Sequence, residues 1–184
     1  MPMPITNVII VDEFDQPQGL MEKHEAHRLG VLHRAISVVI LRYDPEQGWL
    51  TLLQQRQVNK YHAGGCWSNG CCSHPLPKES IADAAHRRLQ EELGFDVPLV
   101  YVDQLLYRMP VSTTMVEHEL DHLFVGFYDG VVNHFNPEEV SAVKWVKLDD
   151  LATWLHESAN DFSPWFSLVM NRVALHLAKF KLMV

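Results

Sequence analysis

Apolar residues occur along the chain in short runs separated by polar turn segments, a pattern that predicts several strands. Residues 7–11 (NVIIV) and 35–43 (AISVVILRY) are nearly continuous in apolar, mostly β-branched residues, which is typical of buried strands. Turn residues at 44–48 precede the apolar segment 49–54 (WLTLLQ), which is therefore predicted to be the return strand of a hairpin. The same pattern predicts further strands and hairpin segments at 97–109, 113–130 and 140–148.

One amphipathic helix is predicted between Ser80 and Gly94. Ser80 can cap the first turn, and Asp83 follows three residues later as in a capping box. Gly94 suits the left-handed conformation that ends many helices. The apolar positions recur at helical spacing and form one face; they are Ile81, Ala84, Ala85 and Leu89.

Two further helices are predicted towards the C-terminus, at 149–156 and 163–180. In the second, Ser163 is expected to be the N-cap and Pro164 the first helical residue. Near the N-terminus, a turn is expected at 15–19. A chain of 184 residues can bury a sizeable core, so we expect a single domain over residues 1–184.

The composition is ordinary for a globular protein, with 47% hydrophobic and 21% charged residues. A net charge of −8 argues against nucleic acid as a partner, because phosphate backbones require a broad basic face. No segment approaches the roughly 20 apolar residues of a membrane-spanning helix, and the N-terminal segment lacks the basic flank of a signal peptide. We therefore expect a cytoplasmic protein with no membrane partner.

Three cysteines lie close together, at Cys66, Cys71 and Cys72. Their odd number argues against a disulfide framework, and their spacing is not that of a zinc ribbon. One of Cys71 and Cys72 is expected to be a small buried hydrophobe. The other would be mostly protonated at neutral pH, because an unperturbed thiol has a pKa of about 8.5, and such a thiol can donate a proton.

The chain contains 11 histidines, which favours a metal site. Glu117 and Glu119 are two residues apart on a predicted strand, so both carboxylates face the same side. An isolated pair of this kind is more often part of a solvated face. With His27, His33 and His74, however, the pair provides three imidazoles and two carboxylates, a set that suits Zn²⁺, Mn²⁺ or a similar divalent ion.

The last two turns of the predicted central helix carry two pairs of opposite charge, Arg87 with Glu91 and Arg88 with Glu92. Exposed pairs four residues apart stabilise a helix by only about 0.2–0.5 kcal/mol. Carboxylates clustered on a helix can instead hold Mg²⁺, which binds phosphate oxygens together with one or two protein ligands. The residues alone leave both interpretations open.

This helix resembles the Nudix box, whose pattern is G-x5-E-x7-R-E-U-x-E-E-x-G-U with U aliphatic. Two residues depart from the pattern, because Ser73 replaces the leading Gly and Arg88 replaces the Glu after Arg87. In Nudix hydrolases that Glu helps to bind the catalytic metal cluster, so both departures weaken an ordinary hydrolase assignment. The residues that match the box are Glu79, Arg87, Leu89, Glu91, Glu92, Gly94 and Phe95.

The same departures occur in type I isopentenyl-diphosphate Δ-isomerases, and the sequence resembles this family along nearly its whole length. The most specific pieces are C-C-S-H-P at 71–75 and V-E-H-E at 116–119. Gly64-Gly65 and Ser68-Asn69 differ from the commoner Pro-Gly and Thr-Asn of the family. The other matching segments are MEKHEAH (21–27), LHRAIS (32–37), R-x3-K (56–60), HRRLQEELG (86–94), YR (107–108) and SPW (163–165).

The resemblance implies an α/β Nudix fold, with a mixed β-sheet sandwiched between α-helices, and the interconversion of isopentenyl and dimethylallyl diphosphates in isoprenoid biosynthesis. It implies that Cys72 and Glu119 transfer protons and that Glu92 is associated with the Mg²⁺ that binds the diphosphate. The implied site for a transition metal, Mn²⁺ or Zn²⁺, consists of His27, His33, His74, Glu117 and Glu119. The implied substrate contacts are Lys23, Arg56, Lys60 and Arg88 for the diphosphate, and Tyr107 and Trp165 for the isoprenoid part.

Two alternative functions, each of a different class, are also considered for this sequence. A Nudix pyrophosphohydrolase would release phosphate or pyrophosphate, and Arg88 argues against it. A metal-storing or regulatory module would keep the fold without the chemistry.

The sequence does not decide four further properties of the isomerase. They are the identity of the transition metal, whether Cys72 or Glu119 protonates the alkene, whether the C-terminal helix acts as a lid, and whether the chain is a monomer or a weak homodimer. Trp165 or Trp67 could stabilise a cation, and the resemblance favours Trp165.

Overall fold

The computed structural model describes residues 6–177 of the chain. In chain order, the strands are β1 (Asn7–Val11), β2 (Pro17–Glu22), β3 (His33–Asp44), β4 (Gly48–Arg56), β5 (Trp67–Ser68), β6 (Cys71–Ser73), β7 (Leu99–Pro110), β8 (Val116–Phe127) and β9 (Val140–Lys147). The helices are α1 (Lys23–Leu29), α2 (Ile81–Leu93), α3 (Leu148–Glu157) and α4 (Phe166–Ala174), with a 3₁₀ turn at Ala159–Asp161. None of these helices is long and apolar enough to cross a membrane.

Strand β3 lies at the centre of the mixed sheet. It pairs in parallel with β8, and antiparallel with β1, β4 and β6. On either side, β2 extends the sheet from β1, β7 extends it from β8, and β5 and β9 extend it from β4. The mixed α/β architecture agrees with the predicted fold class.

Both faces of β3 are buried, which explains its nearly continuous apolar sequence. Ile36, Val38 and Ile40 pack in a cluster with α2, whereas Val39 and Leu41 pack in a cluster with α3 and α4 on the opposite face. The sheet is thus covered by helices on both sides, as the prediction of a sandwiched sheet requires. Adjacent residues of β3 pack into opposite clusters because side chains alternate between the two faces of a strand.

Helix α2 has the ends that the sequence predicts. The hydroxyl of Ser80 accepts a hydrogen bond of 3.0 Å from the backbone N–H of Asp83. Gly94 has a φ of 77°, the left-handed conformation, and a Cβ at this position would collide with the backbone carbonyl of His134. A side chain is therefore disfavoured here both by the dihedral angle and by the close approach of a loop.

Two predictions of local structure were wrong. The N-terminal turn spans residues 12–16 and so begins three residues before the predicted 15–19 segment, because the Asp12 carboxylate accepts from the backbone N–H groups of Phe14 and Gln16, and β2 already begins at Pro17. Ser163 does not cap α4, which begins at Phe166; its hydroxyl lies 3.0 Å from that of Ser68 instead. The predicted helix also extended to residue 180, and its last three residues lie outside the described range.

Candidate active site

A cavity of about 280 Å³ opens between α1, the C-terminal half of α2 and the sheet. Its lining is rich in charged and polar side chains. The predicted site residues that line it are Lys23, Arg56, Lys60, Cys72, His74, Arg88, Glu92, Glu117, Glu119 and Trp165. The other three, His27, His33 and Tyr107, are buried and contact Glu117 or Glu119. The structure therefore brings all the predicted site residues to one place.

Strand β8 positions the two glutamates. Because side chains alternate along a strand, Glu117 and Glu119 emerge on the same face. Strand β3 places His33 opposite Glu119 on one side, and β7 places Tyr107 opposite it on the other. Glu119 is therefore held between two strands, and this explains how a carboxylate with only 8% exposure obtains partners.

Four of the five predicted metal ligands form a tight group. One donor atom from each of His27, His33, His74 and Glu119 can be chosen so that all lie within 4.8 Å of one another. Nε2 of His74 lies 3.0 Å from Oε1 of Glu119, and Nε2 of His33 lies 3.5 Å from the same oxygen. Burial lowers the pKa of His74 to about 3, so its imidazole is neutral and able to act as a ligand.

Backbone carbonyls orient two of these rings. Nδ1 of His27 lies 2.6 Å from the carbonyl oxygen of Lys23, and Nδ1 of His33 lies 2.8 Å from that of Val31. A carbonyl can only accept, so each Nδ1 carries a proton, and Nε2 is the nitrogen through which each neutral imidazole could bind a metal ion. Both Nε2 atoms are buried and have no hydrogen-bond partner among residues 6–177. Such rings, oriented through their other nitrogen, fit a metal ion.

Glu117, the fifth predicted ligand, lies beside this group. Its Oε2 is 3.0 Å from Nε2 of His27, and its Oε1 contacts Nε2 of His62. The donor atoms of His27, His62 and Glu117 form a second group within 4.8 Å of one another. Sequence reasoning missed His62, because a histidine in a loop without periodicity gives no indication of its direction. The available clue was its position two residues after Lys60.

The two adjacent cysteines have different surroundings. Cys71 is fully buried in the apolar cluster below α2, whereas Cys72 lines the cavity. The Cys72 thiol can donate to Oδ1 of Asn69 at 3.1 Å, and its sulfur accepts from Nε1 of Trp165 at 3.4 Å. Burial, with a contribution from the nearby Asp121, raises the pKa of Cys72 to about 12. Its thiol is therefore protonated at neutral pH.

Glu119 carries its charge in spite of its burial. Burial raises the pKa of a carboxyl group, but the close contacts of Glu119 with the imidazoles of His33 and His74 outweigh this effect, so the pKa of Glu119 lies well below its ordinary value. Its Oε2 accepts a hydrogen bond of 2.5 Å from the hydroxyl of Tyr107. The structure thus places Tyr107 against the carboxylate rather than on the cavity wall, and its contact with an isoprenoid group stays a prediction.

Four cationic side chains line the same cavity: Lys23, Arg56, Lys60 and Arg88. Burial and the charges of Lys60 and Arg88 lower the pKa of Lys23, as expected where cations face one another. Lys60 contacts Glu139, and Nη2 of Arg88 lies 3.5 Å from the same carboxylate. Glu139, which is not among the predicted site residues, partly balances this charge.

The charge pairs of α2 separate into two kinds. Arg88 Nη2 donates at 2.6 Å to Oε1 of Glu92, whose side chain is only 5% exposed, so this pair is not a surface pair. The other oxygen of Glu92 accepts from Gln54 at 2.8 Å. Arg87 forms the expected pair with Glu91 at 3.0 Å and also makes two hydrogen bonds to Glu79, at 2.7 and 2.8 Å, at the cavity edge. Each Glu92 oxygen keeps a lone pair for a cation.

A buried carboxylate that the sequence reasoning missed lies beside Cys72. Asp121 is fully buried, and its Oδ2 accepts a hydrogen bond of 2.7 Å from the hydroxyl of Ser37. That hydroxyl also lies 3.4 Å from the Cys72 sulfur. Burial, together with the charge of Glu119, raises the pKa of Asp121 well above its ordinary value. The two-residue spacing from Glu119 was the signal that could have indicated it.

Comparison with known families identifies the domain. The NUDIX domain matches residues 31–166, which is most of the chain. An isopentenyl-diphosphate Delta-isomerase of Pectobacterium atrosepticum is 44% identical over 179 residues, covering 97% of each chain. A protein of the same name from Burkholderia multivorans is 42% identical and covers 91% of this chain and 93% of its own.

Solved structures with low sequence identity share the fold. The crystal structure of DR0079 from Deinococcus radiodurans superposes with a TM-score of 0.69 at 16% identity, covering 91% of this chain and 98% of its own. The NUDIX domain of Shewanella oneidensis NrtR gives a TM-score of 0.61 at 16% identity, covering 79% and 87%. At these identities the likeness concerns the fold alone.

Proposed function

We propose that this chain, which belongs to the NUDIX-domain family of isopentenyl-diphosphate Delta-isomerases, interconverts isopentenyl diphosphate and dimethylallyl diphosphate by a 1,3-allylic proton shift. The observation that supports this most directly is the joint placement of Cys72 and Glu119 in one cavity that four cationic side chains also line. The first two residues can move protons, and the cations can hold a diphosphate.

The shift of a double bond by one position requires that one carbon gains a proton and another loses one. An alkene is a weak base, so the protonated intermediate is a tertiary carbocation of high energy. Two proton-transferring groups are needed, and each such group contributes typically about 10²–10⁴-fold to the rate. Cys72 from β6 brings a protonated thiol, and Glu119 from β8 brings a carboxylate. Because the reaction is reversible, the group that donates in one direction accepts in the other.

Trp165 is proposed to stabilise the cation. Its ring lines the cavity, and its indole N–H donates to the sulfur of Cys72, so the ring lies beside the thiol. An aromatic face stabilises a desolvated cation by roughly 2 kcal/mol or more. The alternative, Trp67, packs with Trp154 at a centroid distance of 6.0 Å and is not part of the cavity lining, which favours Trp165.

A divalent transition metal, Mn²⁺ or Zn²⁺, is proposed at His27, His33, His74, Glu117 and Glu119. The fit rests on the buried Nε2 atoms of His27 and His33, which have no hydrogen-bond partner among residues 6–177, and on the combination of imidazole nitrogens with carboxylate oxygens. Such an ion would neutralise the two buried carboxylates and fix the position of Glu119. The residues themselves do the chemistry: Glu119 exchanges the proton, and the hydroxyl of Tyr107 holds its second oxygen.

The diphosphate is proposed to bind to Lys23, Arg56, Lys60 and Arg88, with Mg²⁺ associated with Glu92. This end of the substrate does not react, so its binding energy positions the alkene between the two proton-transferring groups. The cation cluster in a chain of net charge −8 supports this assignment. Arg88 replaces a carboxylate of the hydrolase-type box, which favours substrate binding over the assembly of a hydrolytic metal cluster.

We further propose the domain organisation, location, oligomeric state and partners that the sequence leads us to expect. The chain works as a single domain in the cytoplasm, as a monomer or weak homodimer, without nucleic acid or a membrane as partner. The acidic net charge supports the exclusion of nucleic acid. Gel filtration at several protein concentrations, with and without a short duplex DNA, tests the oligomeric state and this exclusion together.

Steady-state assays with isopentenyl diphosphate, Mg²⁺ and Mn²⁺ test the function. We expect dimethylallyl diphosphate as the product, detected by chromatography, and a loss of turnover of about 10²-fold or more in Glu119→Gln. Formation of inorganic pyrophosphate from the wild type, with no allylic product, would support the hydrolase instead. Full activity in Glu119→Gln would contradict the assigned role of this residue.

A further inference from the structure

The candidate metal centre contains a buried imidazole, that of His62, which is not in the five-residue ligand set. His62 lies between β4 and β5 and has 7% exposure. Neither of its ring nitrogens has a hydrogen-bond partner among residues 6–177. Buried polar groups are normally satisfied, because an unsatisfied one loses its hydration without compensation. The position of His62 therefore requires a ligand that hydrogen bonds within the chain do not supply.

The surroundings of His62 indicate what that ligand is. Its Nε2 contacts Oε1 of Glu117, whose other oxygen lies 3.0 Å from Nε2 of His27. Despite these close contacts, neither Nε2 forms a hydrogen bond of normal geometry with any group in residues 6–177. The donor atoms of His27, His62 and Glu117 nevertheless lie within 4.8 Å of one another. Nitrogens and oxygens that converge without hydrogen bonds are typical of ligands that share a metal ion.

His27 links this group to the first one, since it also belongs to the group with His33, His74 and Glu119. Nδ1 of His27 is occupied by the carbonyl of Lys23, so only its Nε2 can bind metal, and that atom can bind one ion. Either all six residues share one ion, or they divide into two sets of two imidazoles and one carboxylate.

Charge favours a single ion. Glu117 and Glu119 carry two negative charges in a buried site, and one divalent ion balances them. A second ion would leave two uncompensated positive charges close to four cationic side chains, and an uncompensated buried charge is costly. A neutral imidazole adds a donor without changing this balance.

We propose that His62 is a sixth protein ligand of the transition metal, and that the six donors leave no coordination position for water. This inference rests on the proposed function for the other five ligands. Protein metal sites that activate water keep an open position, whereas closed sites act by structure and charge. A closed shell accounts for an ion that holds a proton-transferring carboxylate without promoting hydrolysis of the diphosphate nearby.

The segment that carries His62 is held in place from two sides. Nη2 of Arg56 donates to the backbone carbonyl of His62 at 3.3 Å, and the His62 ring lies 5.5 Å from the ring of Trp165. Both neighbours are proposed substrate contacts. His62 thus reaches the metal centre from the wall that faces the substrate, where an open coordination position would otherwise face the cavity.

The test is the number of water molecules bound to Mn²⁺, measured by water-proton relaxation on the full chain loaded with Mn²⁺ alone. We expect one Mn²⁺ per chain and low relaxivity in the wild type, because the ion has no bound water. In His62→Ala we expect higher relaxivity, an Mn²⁺ affinity weaker by at least about tenfold, and a return to low relaxivity on addition of imidazole. His156→Ala, an exposed histidine on α3, is the matched control and should equal the wild type.

The outcomes separate this inference from the proposed function. One Mn²⁺ per chain with high relaxivity in the wild type would overturn the assignment of His62 alone. This measurement does not depend on whether any variant folds. Two Mn²⁺ per chain, with one lost in His62→Ala, would replace the closed centre by a pair of ions. A wild type that binds no Mn²⁺ or Zn²⁺ would instead refute the proposed metal centre itself.

Discussion

The two adjacent cysteines allow a sharp test of the proton-transfer role, because they are matched in chemistry and differ in position. Cys71→Ala removes a sulfur that packs below α2 with no exposure, and Cys72→Ala removes one that lines the cavity. Both changes delete one atom from strand β6. Only the second removes a group that can reach a bound alkene.

The magnitudes follow from these positions. Truncation of Cys71 creates a small cavity in a packed cluster and should lower the free energy of unfolding by about 1–2 kcal/mol. Truncation of Cys72 should cost a similar or smaller amount, since its sulfur is only partly enclosed. Loss of a group that transfers a proton should lower kcat by about 10²–10⁴-fold, which corresponds to about 2.7–5.4 kcal/mol of activation free energy.

The assay follows dimethylallyl diphosphate formation at neutral pH for the wild type and both variants, with denaturant unfolding measured on the same preparations. We expect Cys71→Ala to keep at least about half of the wild-type kcat and Cys72→Ala to lose nearly all of it. A large loss in Cys71→Ala, with activity retained in Cys72→Ala, would show that the other thiol transfers the proton. Retained activity in both variants would refute a thiol mechanism.

Other changes probe the remaining parts of the site. Arg88→Ala should raise KM for isopentenyl diphosphate by about 10–100-fold with a smaller effect on kcat, because a charge-assisted hydrogen bond contributes about 1.5–3 kcal/mol. Steady-state kinetics measure both constants, and an unchanged KM would show that Arg88 does not bind the diphosphate. Trp165→Phe keeps an aromatic face but loses the N–H hydrogen bond to the Cys72 sulfur. It should therefore lower kcat less than Trp165→Ala, for which we expect a loss in kcat of about 30-fold. Equal losses in the two variants would argue against cation stabilisation by the ring. Hydrogen bonds from Arg87 lower the pKa of Glu79 in the folded chain. The ionised carboxylate therefore stabilises the fold at pH values above its unfolded pKa of about 4.3, and this stabilisation is lost as the pH falls through the lower folded pKa. Glu79→Gln should therefore destabilise the chain by about 1 kcal/mol at pH 7, and urea unfolding should show the difference shrinking as the pH falls below the unfolded pKa of this carboxyl group.

The fold could be anticipated to a large extent because its elements follow from local patterns. Strand β3 buries both faces and is correspondingly apolar, and α2 has a capping serine and a glycine at its end. The two errors arose where a side chain had a different partner from the expected one. Asp12 closes the first turn early, and Ser163 bonds to Ser68 across the fold instead of to its own helix.

The predicted site residues lie together in the structure, but their geometry could not be predicted from the sequence. The spacing of Glu117 and Glu119 indicates a shared face, but not that Tyr107 on β7 would donate to one of them. Likewise, no local pattern indicates that His62 points into the metal centre or that Asp121 is buried beside Cys72. These contacts depend on how strands and loops distant in sequence come together, which periodicity does not encode.

Incubation of the chain in D₂O with isopentenyl diphosphate, Mg²⁺ and Mn²⁺, followed by NMR and mass analysis of the products, tests the central claim most directly. We expect dimethylallyl diphosphate that carries solvent deuterium in a methyl group, with the diphosphate intact. Recovery of inorganic phosphate or pyrophosphate without a deuterated allylic product would contradict it.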